Sequence, residues 1–458
     1  MNRTRSRGPA LNGATAVVLG YGRSGKAAAA LLAREGARPR VTDTKDATAL
    51  AVAPGSVPGG DAWLGRMDEA VLAGADLVIA SPGVPPTNPV LAAALRTGLP
   101  VHSELELGWW HVDAPTVAIT GTNGKTTTTE LVGAMGRAAG RETAVVGNVG
   151  TPLSEIAGTS PDLCVVEISS FQLFLCREFA PEVGALLNLT PDHLDWHPDH
   201  EHYTESKARL FAHQRASDTA VLNADDPDVM RLASRIPSAI WTFSTRSESR
   251  PGTWTDAEHL FLSDDAGSRS VLALADWHLA GRHNVENLLA AAACAHRIGL
   301  PDAAIAAGAR SFAAMPHRME IVREANGVTW INDSKSTNPG SLAAALDPER
   351  PTLLIAGGVT KGVDFSPLRQ TVAAGARVVF LIGEGAPAMD VAWRGAVRTV
   401  VAGDLETAVA LAAAEAGPGE RVLFSPGCSS FDQFKNYAHR GDRFREIVRE
   451  RVTEGGTR

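Results

Sequence analysis

The sequence predicts an α/β protein with mostly parallel sheets in three domains, on three observations. Short apolar segments alternate with alanine-rich helical segments along the whole chain, the pattern left by β–α–β crossovers. Two glycine-bearing turns, at 20–25 and 121–124, each stand between an apolar segment and a helical one, the context of a phosphate-binding turn. The chain has 458 residues, room for about three domains at roughly 150 residues each.

Strands of the first block are placed at 15–20, 40–43 and 76–80. The middle block supplies 116–120, 163–168, 183–189 and 219–223, and the last block 328–331, 352–356, 378–382 and 421–425. Apolar and β-branched residues dominate these segments, and the alanine-rich runs between them favour helix. Weak points at 109–115 and 313–318 divide the chain into domains 1–112, 113–314 and 315–458. Between 244 and 268 polar and acidic residues dominate and helical periodicity fades, so an irregular or β-rich excursion is expected inside the middle domain.

The first block opens with Gly20-Tyr21-Gly22-Arg23-Ser24-Gly25 after a strand, and Asp43 ends the next strand. A tight turn, a close backbone approach to phosphate and an acid for a ribose hydroxyl make a dinucleotide fingerprint, hence a Rossmann-like first domain. The same geometry serves any diphosphate. The motif alone leaves a UDP-linked ligand, NAD or FAD, and a purely structural turn open. A simple dehydrogenase has no need of a second nucleotide loop, which weighs against NAD. Ser81-Pro82-Gly83 follows the third strand at its carboxyl end, where open α/β sheets hold ligands. A Pro-Gly turn is also ordinary loop punctuation.

The middle block begins with strand 116–120 and then Gly121, Thr122, Asn123, Gly124, Lys125, Thr126 and Thr127. Backbone N–H groups of such a turn converge on an anion, and the helix after it adds partial positive charge. Lys125 suits the outer phosphates of a nucleoside triphosphate, and the Thr126 hydroxyl suits Mg²⁺. Ile119 stands where the general P-loop pattern has a glycine, so a Gly-Lys turn on a threonine-rich surface is the competing reading. Glu167 ends an apolar strand and points to the same edge, a hard oxygen donor for Mg²⁺. His193 is either a site residue or simply hydrogen-bonded to Asp192. Asn284 and Asn287 lie three apart on one helical face, with helix capping the alternative for Asn284.

With 43 basic and 51 acidic residues the chain carries a net charge of −8, which argues against a general nucleic-acid binder. No apolar run approaches the roughly 18–20 residues of a membrane span. Residues 1–9 are basic and polar with no apolar signal core behind them, and are expected to form a disordered tail. Four scattered cysteines lack metal-ligand spacing and fit buried thiols in a reducing compartment, so a cytoplasmic protein is expected.

The turn Thr120-Gly121-Thr122-Asn123-Gly124-Lys125-Thr126-Thr127 resembles the nucleotide loop of the Mur ligases and their folylpolyglutamate synthetase relatives. So do the segments Glu167-Ile168-Ser169-Ser170-Phe171-Gln172, Asn188-Leu189-Thr190-Pro191-Asp192-His193 and Tyr203-Thr204-Glu205-Ser206-Lys207, in family order. The last block adds His317-Arg318, Asn332-Asp333-Ser334-Lys335-Ser336-Thr337-Asn338 and Ser425-Pro426-Gly427-Cys428-Ser429-Ser430-Phe431-Asp432-Gln433, but no Asp-Asn-Pro-Arg motif. That combination resembles the D-glutamate-adding branch.

The resemblance implies a central P-loop ATPase-type domain and a Rossmann-like C-terminal domain. It implies an ATP-dependent amide-forming ligase that uses Mg²⁺ and joins D-glutamate to UDP-N-acetylmuramoyl-L-alanine through an acyl phosphate. Lys125, Glu167, His193 and Lys207 are its implied catalytic residues, with Thr126, Glu167, His193 and a CO₂-derived carbamate on Lys207 at the metal. Taken without the resemblance, Lys207 is an unmodified surface lysine. Asn284, Asn287, Arg318 and Asp333 join the ATP site. Lys335, Thr337, Ser430 and Tyr437 match the D-glutamate pocket, and Asn148 the muramoyl-alanine part. Arg23, Ser24, Asp43, Thr44, Lys45, Ser81 and Gly83 match the UDP contacts. A monomer is expected. Another Mur ligase, a folylpolyglutamate-type synthetase and a catalytically silent nucleotide-binding paralogue are the alternatives. Thr360 stands where relatives carry Asp, Tyr437 where they carry Phe, and His102-Ser103-Glu104 replaces a Gly-Asp-like pair.

Overall fold

A computed structural model describes residues 8–453, apart from 54, 60, 195, 280, 314 and 315, together with 456 and 457. Most of the expected tail, and the middle of the second expected boundary, lie outside the described residues. Among the described residues three large sheets are present, one in each sequence block, and Val452–Thr453 pairs with Gly456–Thr457 in a small antiparallel ribbon. By contact the chain forms two compact units. One holds the chain up to Leu189, Asp199–Trp277 and Asn284–Phe312; the other holds Thr190–Pro198, His278–His283 and the chain from Ala313.

The first sheet has strands β1 (Thr15–Leu19), β2 (Arg38–Asp43), β3 (Asp61–Leu64), β4 (Leu77–Ala80) and β5 (Val101–Ser103), all parallel, in the order β3-β2-β1-β4-β5. Helices α1 (Arg23–Arg34), α2 (Pro89–Arg96) and α3 (Glu104–Trp109) accompany it. Strand order reverses at β1, so the carboxyl ends of β1 and β4 flank a crevice. Gly25 closes the turn behind β1. A Cβ there would stand 1.9 Å from the Gly20 carbonyl oxygen, so only glycine lets α1 pack on the turn.

The second sheet has nine strands in the order β14-β13-β12-β11-β10-β9-β6-β8-β7. They are β6 (Thr116–Thr120), β7 (Thr143–Gly147), β8 (Leu163–Glu167), β9 (Val183–Leu186), β10 (Thr219–Asn223), β11 (Ala239–Ser244), β12 (Gly252–Thr255), β13 (His259–Asp264) and β14 (Gly267–Ala273). The segment at 244–268 is therefore β-structure. Strands β6 to β12 pair in parallel, and β13 and β14 pair antiparallel at the edge. Helices α4 (Lys125–Ala138), α5 (Ser170–Phe174), α6 (His200–Ala208), α7 (Pro227–Arg231), α8 (Arg282–Arg297) and α9 (Asp302–Ser311) surround it.

One apolar cluster runs from Val18 and Ile79 of the first sheet through Trp109 to Ala118, Val166 and Leu186 of the second. Each fully buried aliphatic side chain in it is worth about 1.5–3 kcal/mol, which is why these two blocks form a single unit. Buried carboxylates reinforce the join. Glu104 accepts from the Ser154 backbone at 2.7 Å, and Glu106 accepts from the backbone N–H groups of Arg177 and Glu178. Burial holds the Glu104 carboxyl above its ordinary range. The departure at 102–104 thus seats the first sheet on the second.

The second unit carries a six-stranded sheet in the order β15-β16-β20-β17-β18-β19. Its strands are β15 (Glu320–Ala325), β16 (Val328–Asn332), β17 (Thr352–Gly357), β18 (Val378–Ile382), β19 (Arg398–Gly403) and β20 (Arg421–Phe424), with β15 alone antiparallel. Helices α10 (Pro339–Ala345), α11 (Arg369–Gly375), α12 (Ala386–Trp393), α13 (Leu405–Glu415) and α14 (Tyr437–Arg451) complete it. All four cysteines are buried free thiols. Among the described residues no helix is long and apolar enough to cross a membrane.

Candidate active site

The loop after β6 is built from the backbone up. Gly124 has φ +82°, and a Cβ there would meet Asn287 Oδ1 at 2.1 Å, so only glycine fits comfortably as the residue before α4. No side chain caps α4, leaving its first N–H groups facing the turn. Lys125 folds back, its Nζ donating to the carbonyls of Gly121 and Thr122 at 2.8 Å each. Asn188 brackets the loop, accepting from Asn123 N–H at 2.8 Å and donating to the Asn123 carbonyl at 3.2 Å. The Thr122 hydroxyl is 2.9 Å from that of Tyr203. Thr126 and Thr127 are buried in the first turn of α4. This is a strand–turn–helix cradle, not a surface Gly-Lys turn.

Glu167 ends β8 beside Ile119 on one flank and Gly147 on the other, so its carboxylate stands at the same sheet edge as the loop. Asn148 Nδ2 donates to Glu167 Oε1 at 2.9 Å. Lys207 corrects the surface-lysine alternative. It is 1% exposed, its Nζ donates to the Gly121 carbonyl at 2.9 Å, and it lies 4.6 Å from the Tyr203 ring centroid. Burying an ammonium is costly unless it is hydrogen-bonded, and the bond to the Gly121 carbonyl holds Lys207 at the loop. Asn287 reaches Thr128 Oγ1 at 3.4 Å. Asn284 lies inside α8, the third residue of that helix, so it is not the cap that begins it.

At the first sheet, Asp43 is already engaged. Its two oxygens accept from the Tyr21 and Lys45 backbone N–H groups at 2.7 and 2.8 Å, which shapes the turn. Ser81 donates to the Gly20 carbonyl at 2.8 Å and ties the ends of β1 and β4 together. Arg23 and Ser24 open α1, whose start has no side-chain cap, and Arg23 lies 3.7 Å from Glu155. Thr44, Lys45 and Gly83 are exposed beside the crevice.

The remaining expected residues belong to the second unit. Asp333 follows β16 and is buried; it accepts from Ser425 Oγ at 2.8 Å and from Met319 N–H at 3.3 Å. Burial pushes its carboxyl up to about 7, against the pull of Ser425 and the Arg318 charge. Lys335 Nζ donates to the Tyr437 hydroxyl at 3.0 Å and sits 4.1 Å from that ring's centroid, so the extra hydroxyl of Tyr437 positions a lysine. Thr337 precedes Asn338, the cap of α10, and Ser430 is buried in the loop after β20. His193 has φ +56°, and its Nε2 is 3.7 Å from Asp192 Oδ2. That distance is too long for a ring hydrogen bond, whereas the His193 backbone N–H donates to Asp192 Oδ1 at 2.9 Å.

Sequence reading passed over several residues here. Asp192 accepts from Asn338 Nδ2 at 3.0 Å and lies 3.7 Å from Lys361 Nζ. Arg440 is buried, donating to the carbonyls of Ser334 and Cys428 at 2.8 and 3.0 Å, and burial lowers its guanidinium to about 10. A lone Arg in a helix carries no signal of this. Among the described residues no group of three or more His, Cys, Asp or Glu side chains is arranged to hold a metal ion. The donors at hand are an isolated carboxylate and hydroxyls, which suit a hard cation that keeps water and phosphate ligands.

Three family models match the chain: "Mur ligase MurD-like, N-terminal domain" at 14–103, "Mur ligase middle domain" at 119–295 and "Mur ligase, glutamate ligase domain" at 317–428. The chain is 43% identical to a UDP-N-acetylmuramoylalanine–D-glutamate ligase from Anaeromyxobacter dehalogenans, covering 97% of this chain and 99% of that one. It is 42% identical to the ligase of the same name from Geobacter metallireducens, covering 96% and 98%. Its fold is similar to that of a pseudomurein peptide ligase type C from Methanothermus fervidus, with TM-score 0.61 and 20% identity over 95% of this chain and 99% of that one.

Proposed function

The chain belongs to the Mur ligase family, and we propose that it joins D-glutamate to UDP-N-acetylmuramoyl-L-alanine at the expense of ATP, in peptidoglycan precursor synthesis. The observation that carries the chemistry is the loop after β6, with Lys125 inside it, Glu167 at the end of the neighbouring strand and Lys207 donating to Gly121. The relatives named for D-glutamate addition supply the substrate pair.

The free carboxylate of the UDP-linked substrate attacks the γ-phosphorus of ATP, forming an acyl phosphate and releasing ADP. The amine of D-glutamate then attacks the acyl carbon; phosphate leaves, the amine gives up a proton, and an amide remains. Carboxylate and triphosphate repel each other, so Lys125 and the N–H groups at the start of α4 must offset that repulsion. Gly121, Thr122, Asn123, Gly124, Thr126 and Thr127 hold the phosphates, with Asn284, Asn287, Arg318 and Asp333 toward the rest of the nucleotide. Thr126, Glu167, His193 and Lys207 as a carbamate are the residues that would hold Mg²⁺. When bound, that cation adds positive charge against the γ-phosphate.

Asn148 orients Glu167 and faces the muramoyl-alanine end. Arg23, Ser24, Asp43, Thr44, Lys45, Ser81 and Gly83 border the UDP crevice. Lys335, Thr337, Ser430 and Tyr437 receive D-glutamate, whose two carboxylates suit a cation and hydroxyls. We place the domain limits at 112 and 314, and the enzyme in the cytoplasm as a monomer that binds neither membrane nor nucleic acid.

Phosphate release from ATP, with UDP-N-acetylmuramoyl-L-alanine and a panel of amino acids, tests the reading. Release that depends on D-glutamate is expected. Release with L-lysine or diaminopimelate instead, or with none of the panel, rejects it.

A further inference from the structure

A groove of about 450 Å³ opens on the first unit, and none of its lining residues belongs to either glycine turn or to the Glu167 and Lys207 cluster. Leu95 of α2 forms one wall, and Phe174, Leu175, Arg177, Arg209 and His213 are among the residues that line the others. Helix α2 of the first sheet, the end of α5 and the segment just after α6 therefore share it. Its volume is that of an ordinary small-molecule site, which runs to roughly 300–1,000 Å³.

Charge in the groove is one-sided. Arg209 lies with its guanidinium carbon 5.5 Å from the Phe174 ring centroid, an apolar plane beneath a cation. Glu205, the acid whose charge Arg209 influences, is engaged by Arg235 through two bonds of 2.5 and 2.7 Å. Glu106 lies buried behind the groove and faces backbone, accepting from the N–H groups of Arg177 and Glu178. Those bonds fix the main chain that presents Arg177. Among the described residues, neither Arg177, Arg209 nor His213 forms an ion pair within 4.0 Å. Two guanidinium forks without carboxylate partners, on a chain of net charge −8, stand over an apolar floor at an anchored loop. Guanidinium planes match carboxylate and phosphate in a bidentate manner.

We propose that this groove binds a small amphipathic anion, a carboxylate or phosphate carried on a planar apolar body. The anion lies between Arg177 and Arg209, and the body lies against Phe174, Leu175 and Leu95. Anchoring of the 177–178 backbone spares the site part of the ordering cost that binding otherwise carries.

Calorimetric titration of the full-length protein, saturated with ADP and Mg²⁺ so that the nucleotide loop is filled, tests this with 1-naphthoate, 1-naphthyl phosphate and neutral 1-naphthol. At least one anionic probe is expected to bind at about millimolar or better, with naphthol at least tenfold weaker. Which anion binds tighter identifies the head group. The double variant Arg177→Ala/Arg209→Ala and the groove-filling Leu95→Trp are each expected to weaken the probe about tenfold or more, while both keep the thermal transition of the parent. Because these positions are exposed or partly exposed, folding should survive. No saturable binding of either anion, equal binding of naphthol, displacement by ADP, or affinity unchanged in both variants would each overturn the proposal.

Discussion

The glycine turn after β1 and the one after β6 begin alike. Each follows a strand that is buried where it meets the turn, each leads into a helix without a side-chain cap, and each stands where its sheet reverses strand order. They differ in what surrounds the cradle. The first is braced by a carboxylate, Asp43, whose oxygens are taken up by turn N–H groups, and by Ser81. The second contains Lys125, is touched by Lys207 and lies beside Glu167. A turn braced from within suits a diphosphate that is held and not altered. A turn furnished with cations and an acid suits a phosphate that is transferred. On the proposed function, similar backbone devices serve anchoring in one sheet and chemistry in the other.

Substitutions that separate the two turns should separate the two substrates. The largest effect is expected from Lys125→Ala and Lys207→Ala, each lowering kcat for D-glutamate-dependent phosphate release by about 10²–10³-fold or more. Full activity in Lys207→Ala would remove that residue from the site. Next comes Gly25→Ala, whose Cβ would collide with the Gly20 carbonyl. It is expected to raise KM for the UDP-linked substrate by about tenfold or more, with KM for ATP little changed. An equal rise for both substrates would erase the distinction between the turns.

Asp333 gives an intermediate effect, read as stability against pH. Its carboxyl is raised to about 7 in the fold. The folded state therefore binds more protons than the unfolded chain between roughly pH 4 and 7, and stability falls as pH rises through that window. Urea unfolding at a series of pH values should show that decline, and Asp333→Asn should flatten it. A decline of unchanged slope in the variant would assign it to another group. The smallest effect is expected for Tyr437→Phe. It removes one hydrogen bond to Lys335, worth about 0.5–1.5 kcal/mol, and should raise KM for D-glutamate a few-fold while sparing KM for ATP.

Long apolar strands such as β6, β8, β17 and β18 were legible because parallel strands buried on both faces read as continuous apolar runs. Strands β3, β5, β7, β15 and β19 were missed for the opposite reason. They are short or border their sheets, with polar or half-exposed residues such as Asp61, His102, Thr143 and Arg398. The β-rich excursion expected at 244–268 is borne out, but its separate strands were not placed because polar residues line the exposed side of an antiparallel edge. A three-way division of the chain was legible, but the joining of the first two blocks by a shared apolar cluster, reinforced by buried Glu104 and Glu106, was not, since those acids look in sequence like solvent-facing charges. Residues at strand ends and in the turns beside them (Lys125, Glu167, Ser81) could be nominated for the candidate site by position. Asp192, Asn338, Lys361 and Arg440 could not, because their partners lie far away in sequence and only the folded second unit brings them together.

The division of labour between the two turns is tested most directly by binding, without turnover. Calorimetry of Lys125→Ala, titrated separately with ADP–Mg²⁺ and with UDP-N-acetylmuramoyl-L-alanine, should show nucleotide affinity lost by about tenfold or more and UDP-substrate affinity equal to that of the parent. Loss of both affinities, or of the UDP substrate alone, would contradict it.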